Sequence, residues 1–155
     1  MKRWLCYLAA VFAVAALNKN ASAGHEIGDL QPVQTVALSI ENGMVVLRTD
    51  TNNWGAGWSV AEAVADMEGS APGKIFLETA DYLLVTPECM DMVYAMANHL
   101  RPSCALCLVR GRPELEGVAE YLRHHEPRVT MLQYRAGGCQ LQTLITKEGR
   151  MELVS

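Results

Sequence analysis

The sequence predicts an α/β fold in a single domain, an N-terminal β-hairpin followed by βαβ units, forming a mixed sheet flanked by about three helices. Three observations carry this. Val36, Leu38 and Ile40 alternate with Thr35 and Ser39 ahead of Asn42-Gly43, and period two followed by that dipeptide is a strand entering a type I′ hairpin turn. The stretch from Gly73 to Arg110 reads apolar run, helix pattern, apolar run, which is one βαβ unit. A further helix-period segment and further strand-like segments follow with no linker or repeat between them.

The chain of 155 residues is of one-domain size. Residues 1–23 read as a secretory signal peptide: Lys2 and Arg3, an apolar core from Trp4 to Leu17, and Ala21-Ser22-Ala23 as an A-x-A site cleaved before Gly24. That core of 14 residues is shorter than the roughly 20 needed to cross a bilayer. Residues 24–31 read as a flexible lead, and 32–155 as the domain. Removing Lys2, Arg3 and Lys19 leaves 10 basic against 17 acidic residues, a formal charge of −7. Such a balance argues against nucleic acid or anionic lipid as a partner. The expectation is an extracytoplasmic protein without a transmembrane segment after cleavage.

The elements follow in order. Pro32 to Glu41 and Met44 to Asp50 are the hairpin strands. Thr51 to Trp58 (TNNWGAGW) reads as a loop, and its Gly55-Ala56-Gly57 is a weak hint of a phosphate cradle. Ser59 to Glu62 has the form of a capping box, opening a helix with Val60, Ala63, Val64 and Met67 on one face. Ile75–Glu78 and Tyr82–Val85 are extended, with Thr79-Ala80-Asp81 as a bend. Thr86 is an N-cap with Pro87 at the first helical position, and Met90, Val93, Tyr94, Ala97 and Leu100 form that helix's core face. Cys104 to Val109 is apolar throughout, as a strand covered on both faces should be. A third helix carries Leu115, Val118, Ala119 and Leu122 inward. Val129–Tyr134, Leu141–Ile145 and Met151–Val154 complete the strands.

Candidate chemistry centres on the thiols. Cys104 and Cys107 have redox spacing, but strand positions i and i+3 point to opposite faces, where the sulfurs do not meet. Joined by His124 and His125, at the end of the helix that follows, they make the alternative reading, a thiol-redox or zinc-dependent enzyme. Cys89 falls in a first helical turn, a position that lowers a thiol pKa, but His99 lies too far along that helix to pair with it. Cys139, beside Gly137-Gly138, is the most available of the four later cysteines. Asp66/Glu68 and Asp81/Glu88 read as solvated charges or caps. No catalytic residue and no cofactor are called for. Trp54 and Trp58, aromatic and loop-borne, are the expected contact surface.

The hairpin, the Gly-rich loop, the helix opening Ser59-Val60-Ala61-Glu62-Ala63 and the strand pair before Thr86-Pro87-Glu88 resemble the N-terminal domain of the spore germinant-receptor C-subunit lipoproteins. The match runs from about Val33 to Leu122 and is densest over Pro72 to Val85 (PGKIFLETADYLLV). The chain departs from that family in having Gly24 where a lipid-bearing cysteine would stand, and in lacking a Gly-His pair at Thr79-Ala80-Asp81. The resemblance implies a shared fold and no catalytic residues. Together these readings favour an exported, non-catalytic interaction or envelope-associated module with a protein partner, related through the resemblance to germination.

Overall fold

The computed structural model describes residues 30–147 and 149–155. The expected signal peptide, its cleavage residues Ala21, Ala23 and Gly24, and positions 24–29 of the lead lie outside them. The chain divides into Met1–Leu30 and a compact unit, Gln31–Ser155.

Strand β1 (Leu30–Pro32) pairs with β5 (Lys74–Phe76) in a small two-stranded sheet. The main sheet has eight strands. Its path is β10 (Arg150–Val154), β9 (Thr143–Lys147), β7 (Ala105–Val109), β6 (Tyr82–Val85), β2 (Thr35–Glu41), β3 (Met44–Thr49) and β4 (Trp54–Gly57), with β8 (Val129–Thr130) pairing off-path with β7. Strands β2, β6, β7 and β9 are parallel neighbours, while β3, β4, β8 and β10 attach antiparallel. The fold is therefore mixed α/β, with four helices among the described residues: α1 (Val60–Ser70), α2 (Val93–Met96), α3 (Val118–His124) and α4 (Met131–Ala136).

The parallel centre explains the apolar runs. Leu83 and Leu84 are both 0% exposed yet belong to cores on opposite faces of the sheet. Burying each is worth roughly 1.5–3 kcal/mol, so a strand enclosed on both sides has no polar positions to spare. The larger core holds Val36, Leu38, Leu47, Leu83 and Leu106 under α1, α2 and α4. The smaller holds Ala37, Leu84, Cys107, Val109 and Leu144 under Val118 and Leu122 of α3. The hairpin forms as its turn dipeptide requires, with φ of 52° at Asn42 and 81° at Gly43.

Several segments differ from expectation. Trp54–Gly57, read as loop, is the edge strand β4. Val129–Tyr134, read as strand, pairs only at Val129 and Thr130 before turning into α4. Thr130 and Gln133 close a capping box there, Oγ1 accepting from the Gln133 N–H and Oε1 accepting from the Thr130 N–H. The helix expected from Pro87 is a 3₁₀ turn, Pro87–Met92, continued by the short α2. Three residues per turn rotate the inward face relative to a 3.6 period, so Cys89, Val93 and Met96 are buried while Tyr94 is 55% exposed. Thr86 stands at the N-cap with Pro87 behind it as expected, but its side chain makes no capping bond to the backbone; its hydroxyl donates to the Cys89 sulfur at 3.4 Å. Leu77 and Glu78, expected extended, join Thr79 of the expected bend in a 3₁₀ turn, Leu77–Thr79.

Candidate functional site: a tryptophan-walled cleft at the sheet edge

Strand β4 lies between β3 and helix α1, and its glycines make that possible. A Cβ on Gly55 would fall 2.2 Å from the Ala63 carbonyl oxygen and 2.7 Å from Met67 Cβ; one on Gly57 would fall 2.5 Å from Glu62 Cβ. The Gly-Ala-Gly run is thus a close approach of strand to helix, and both cradle glycines are filled by α1.

Thr49 N–H donates to Asn53 O, and the register pairs Leu47 with Gly55 and Val45 with Gly57. Ladder alternation then turns the N–H groups of Ala56 and Trp58 to the outer edge. Two carboxylates of α1 meet them there, Asp66 at 2.9 Å from Ala56 N and Glu62 at 2.8 Å from Trp58 N. Ser59 Oγ accepts from the Glu62 N–H as expected of the N-cap, but Glu62 reaches one residue further back than a capping box requires. Asp66, read from sequence as a solvated charge or cap, caps a strand edge.

Directly opposite residues share a face of a sheet. Trp54 stands opposite Arg48, Arg48 opposite Ala37, and Ala37 in register with Leu84 and then Cys107. Trp54 and Arg48 therefore lie on the α3 side of the sheet, outside the hydrophobic cluster that α3 covers. Trp54 is 56% exposed and Trp58 is 77% exposed. Between the end of β3, the start of β4 and the segment from Arg112 to Glu116 lies a cleft of about 770 Å³. The structure supports Trp54 and Trp58 as exposed aromatics, but puts Trp54 on a strand.

The cleft carries both signs of charge. Arg48 grips Glu41 with one nitrogen, 3.0 and 2.8 Å from its two carboxylate oxygens, and its Nε is buried without a hydrogen-bond partner among the described residues. Asp50 accepts the Gln34 N–H at 3.2 Å through each oxygen. Arg112, Glu114 and Glu116 are exposed on the facing wall. The sequence signalled the tryptophans but not this facing wall, because a helix-approach segment that begins 63 residues after Thr49 shows no pattern linking it to β3.

The thiols sit elsewhere. Cys89, Cys104 and Cys107 are free and buried, and Cys139 is free and exposed. Cys104 belongs to the core under α1, α2 and α4 and Cys107 to the core under α3, so the sheet itself separates the two sulfurs. Burial pushes both thiols up to about 12, Arg101 lowering Cys104 and Cys104 raising Cys107 to lesser degrees. Cys89 is corrected too: burial pushes its thiol up, against the Thr86 hydrogen bond that lowers it. His124 and His125 are exposed at the end of α3, where His125 stacks on Tyr121 with ring centroids 4.3 Å apart. No group of three or more His, Cys, Asp or Glu side chains placed to hold a metal occurs among the described residues. The alternative set Cys104, Cys107, His124 and His125 is not brought together. Among the described residues no helix is long and apolar enough to cross a membrane.

No protein-family model, curated protein or solved structure matches the chain.

Proposed function

We propose that this chain is an exported, non-catalytic binding module that attaches to a component of the cell envelope, a protein partner included, through its Trp54–Trp58 edge. One observation carries the reading: Trp54 on strand β4 and Trp58 just past its end are both exposed, beside glycines packed closely against α1. Exposed large aromatics fixed by a scaffold are favourable anchors, because little side-chain entropy is lost when they are covered. The A-x-A leader motivates the export, and the likeness to germinant-receptor C-subunits motivates a setting in spore germination. The competing thiol or zinc enzyme is disfavoured by sulfurs on opposite faces of the sheet, both pushed up to about 12 by burial.

The test is co-sedimentation of the full chain with purified envelopes of the source cells. The wild-type chain is expected in the pellet, and the Trp54→Ala/Trp58→Ala double variant in the supernatant. Equal sedimentation of the two, or none of either, would sink this reading.

A further inference from the structure

We propose that the Trp54 cleft is a saccharide site, in which one ring of a short neutral oligosaccharide lies on the Trp54 indole while its hydroxyls bond the polar groups around it. This rests on the envelope-binding reading and names the component bound. The cleft's volume of about 770 Å³ falls within the roughly 300–1,000 Å³ of small-ligand sites. Its lining is unlike the mostly apolar lining usual there, for Trp54 is its one aromatic among Arg48, Thr49, Asp50, Asn52, Arg112 and the acidic Glu114 and Glu116. A ligand matching such walls is polar over most of its surface and needs one flat apolar face.

A pyranose ring has that shape. Its C–H groups lie against the electron-rich face of an indole, and each ring hydroxyl both donates and accepts. The walls provide both complements. Arg112 donates, Glu114 and Glu116 accept, and the Asn52 amide does each. The mixed charges also discriminate. A simple anion drawn to Arg112 meets the carboxylates of Asp50, Glu114 and Glu116, and a simple cation drawn to those meets the guanidinium groups of Arg48 and Arg112. With the two signs interleaved, a neutral ligand pays the least. An extended peptide paired to β4 is disfavoured because Asp66 and Glu62 already occupy the outward N–H groups of Ala56 and Trp58.

The experiment follows the tryptophan indole N–H signals of the full chain by NMR, assigned with Trp54→Phe and Trp58→Phe. Probes are triacetylchitotriose, cellotriose and maltotriose, with trilysine as a charged control. At least one sugar is expected to shift the Trp54 signal saturably and to release the wild-type chain from envelopes in competition. Trp54→Ala, with its melting temperature measured alongside, is expected to weaken that binding at least tenfold, and Arg112→Ala several-fold. The assignment is overturned if no sugar shifts the Trp54 signal, if trilysine alone does so, or if Trp54→Ala binds as tightly as wild type. Envelope sedimentation that depends on the tryptophans but resists all three sugars would overturn the saccharide alone and leave the binding-module reading intact. Loss of both would remove both.

Discussion

Replacing Gly55 by alanine probes the packing that holds the Trp54 strand in place. The added methyl would stand 2.2 Å from the Ala63 carbonyl oxygen and 2.5 Å from the Met67 nitrogen, both backbone atoms of α1 and neither able to rotate away. Ordinary contact begins near 3.4 Å, so helix and strand must separate by more than an ångström. Ala63 and Met67 are each 0% exposed, and a close-packed interior does not absorb that movement without loss. The cost is about 3 kcal/mol, the upper end for overpacking. Unfolding entropy of about 2.1 cal/mol/K per residue over the roughly 125 residues of the body converts this to a Tm about 11 °C lower. Gly69→Ala is the matched control, because a Cβ there meets nothing within 4 Å. Inside α1 it should add about 0.5–1 kcal/mol from helix propensity and the unfolded chain, raising Tm by ~2–4 °C. Both are read by thermal circular dichroism. A Gly55→Ala variant melting within about 2 °C of wild type would refute the close-approach account of the Gly-Ala-Gly run.

Three further predictions concern the core. Thr35 is 0% exposed and its hydroxyl has no hydrogen-bond partner among the described residues; Thr35→Val should therefore stabilise by about 1 kcal/mol in urea unfolding, and a destabilised variant would contradict the assignment. Burial raises Cys104 and Cys107 from 9.0 to about 12, so folding keeps their protons on. Their stability contribution is complete below pH 9 and drains as pH rises toward 12, reaching roughly 2 kcal/mol per thiol near pH 10.5. Urea titrations from pH 8 to 10.5 should accordingly fall less steeply for Cys104→Ala/Cys107→Ala than for wild type, and parallel slopes would speak against the burial. Of Cys89, Cys104, Cys107 and Cys139, only Cys139 should be alkylated in the folded chain by peptide mapping; rapid modification of Cys104 or Cys107 would mean that the strand placement is wrong.

What the sequence made legible were the elements whose signal is local. Asn42-Gly43 needs positive φ and shows it, Ser59 accepts from the Glu62 N–H, and the alternation that sends Cys104 and Cys107 to opposite faces follows from period two alone. Elements whose reason is tertiary were not legible. Two glycines in four residues oppose a strand by propensity, and β4 exists because α1 needs its neighbour to lack side chains there. The apolar run of Val129 to Tyr134 fits either period, and burial of Met131 with exposure of Leu132 at 63% reflects the helix. A signal was present: Thr130-Met131-Leu132-Gln133 has the capping-box spacing, the same pattern recognised at Ser59. For the cleft, Trp54 and Trp58 were visible and the Arg112–Glu116 wall was not, since only the crossing from β7 to α3 brings it opposite β3.

The closed edge of β4 decides how the tryptophans can be used. An edge strand ordinarily offers its free N–H and C=O groups to another chain, and an aromatic-rich edge with open backbone would suggest strand addition by a peptide. Here Glu62 and Asp66, four residues apart and so on one side of α1, sit on the outward N–H groups of Trp58 and Ala56. A pairing strand would have to displace two charge-assisted hydrogen bonds, which are stronger than the neutral bonds it would make. Contact along the backbone is thereby disfavoured while the side chains on the α3 face stay open. The residues that cap the helix and close the edge thus leave face-on contact with Trp54 and Trp58 as the route to a partner, which suits a ligand that lies flat against an indole.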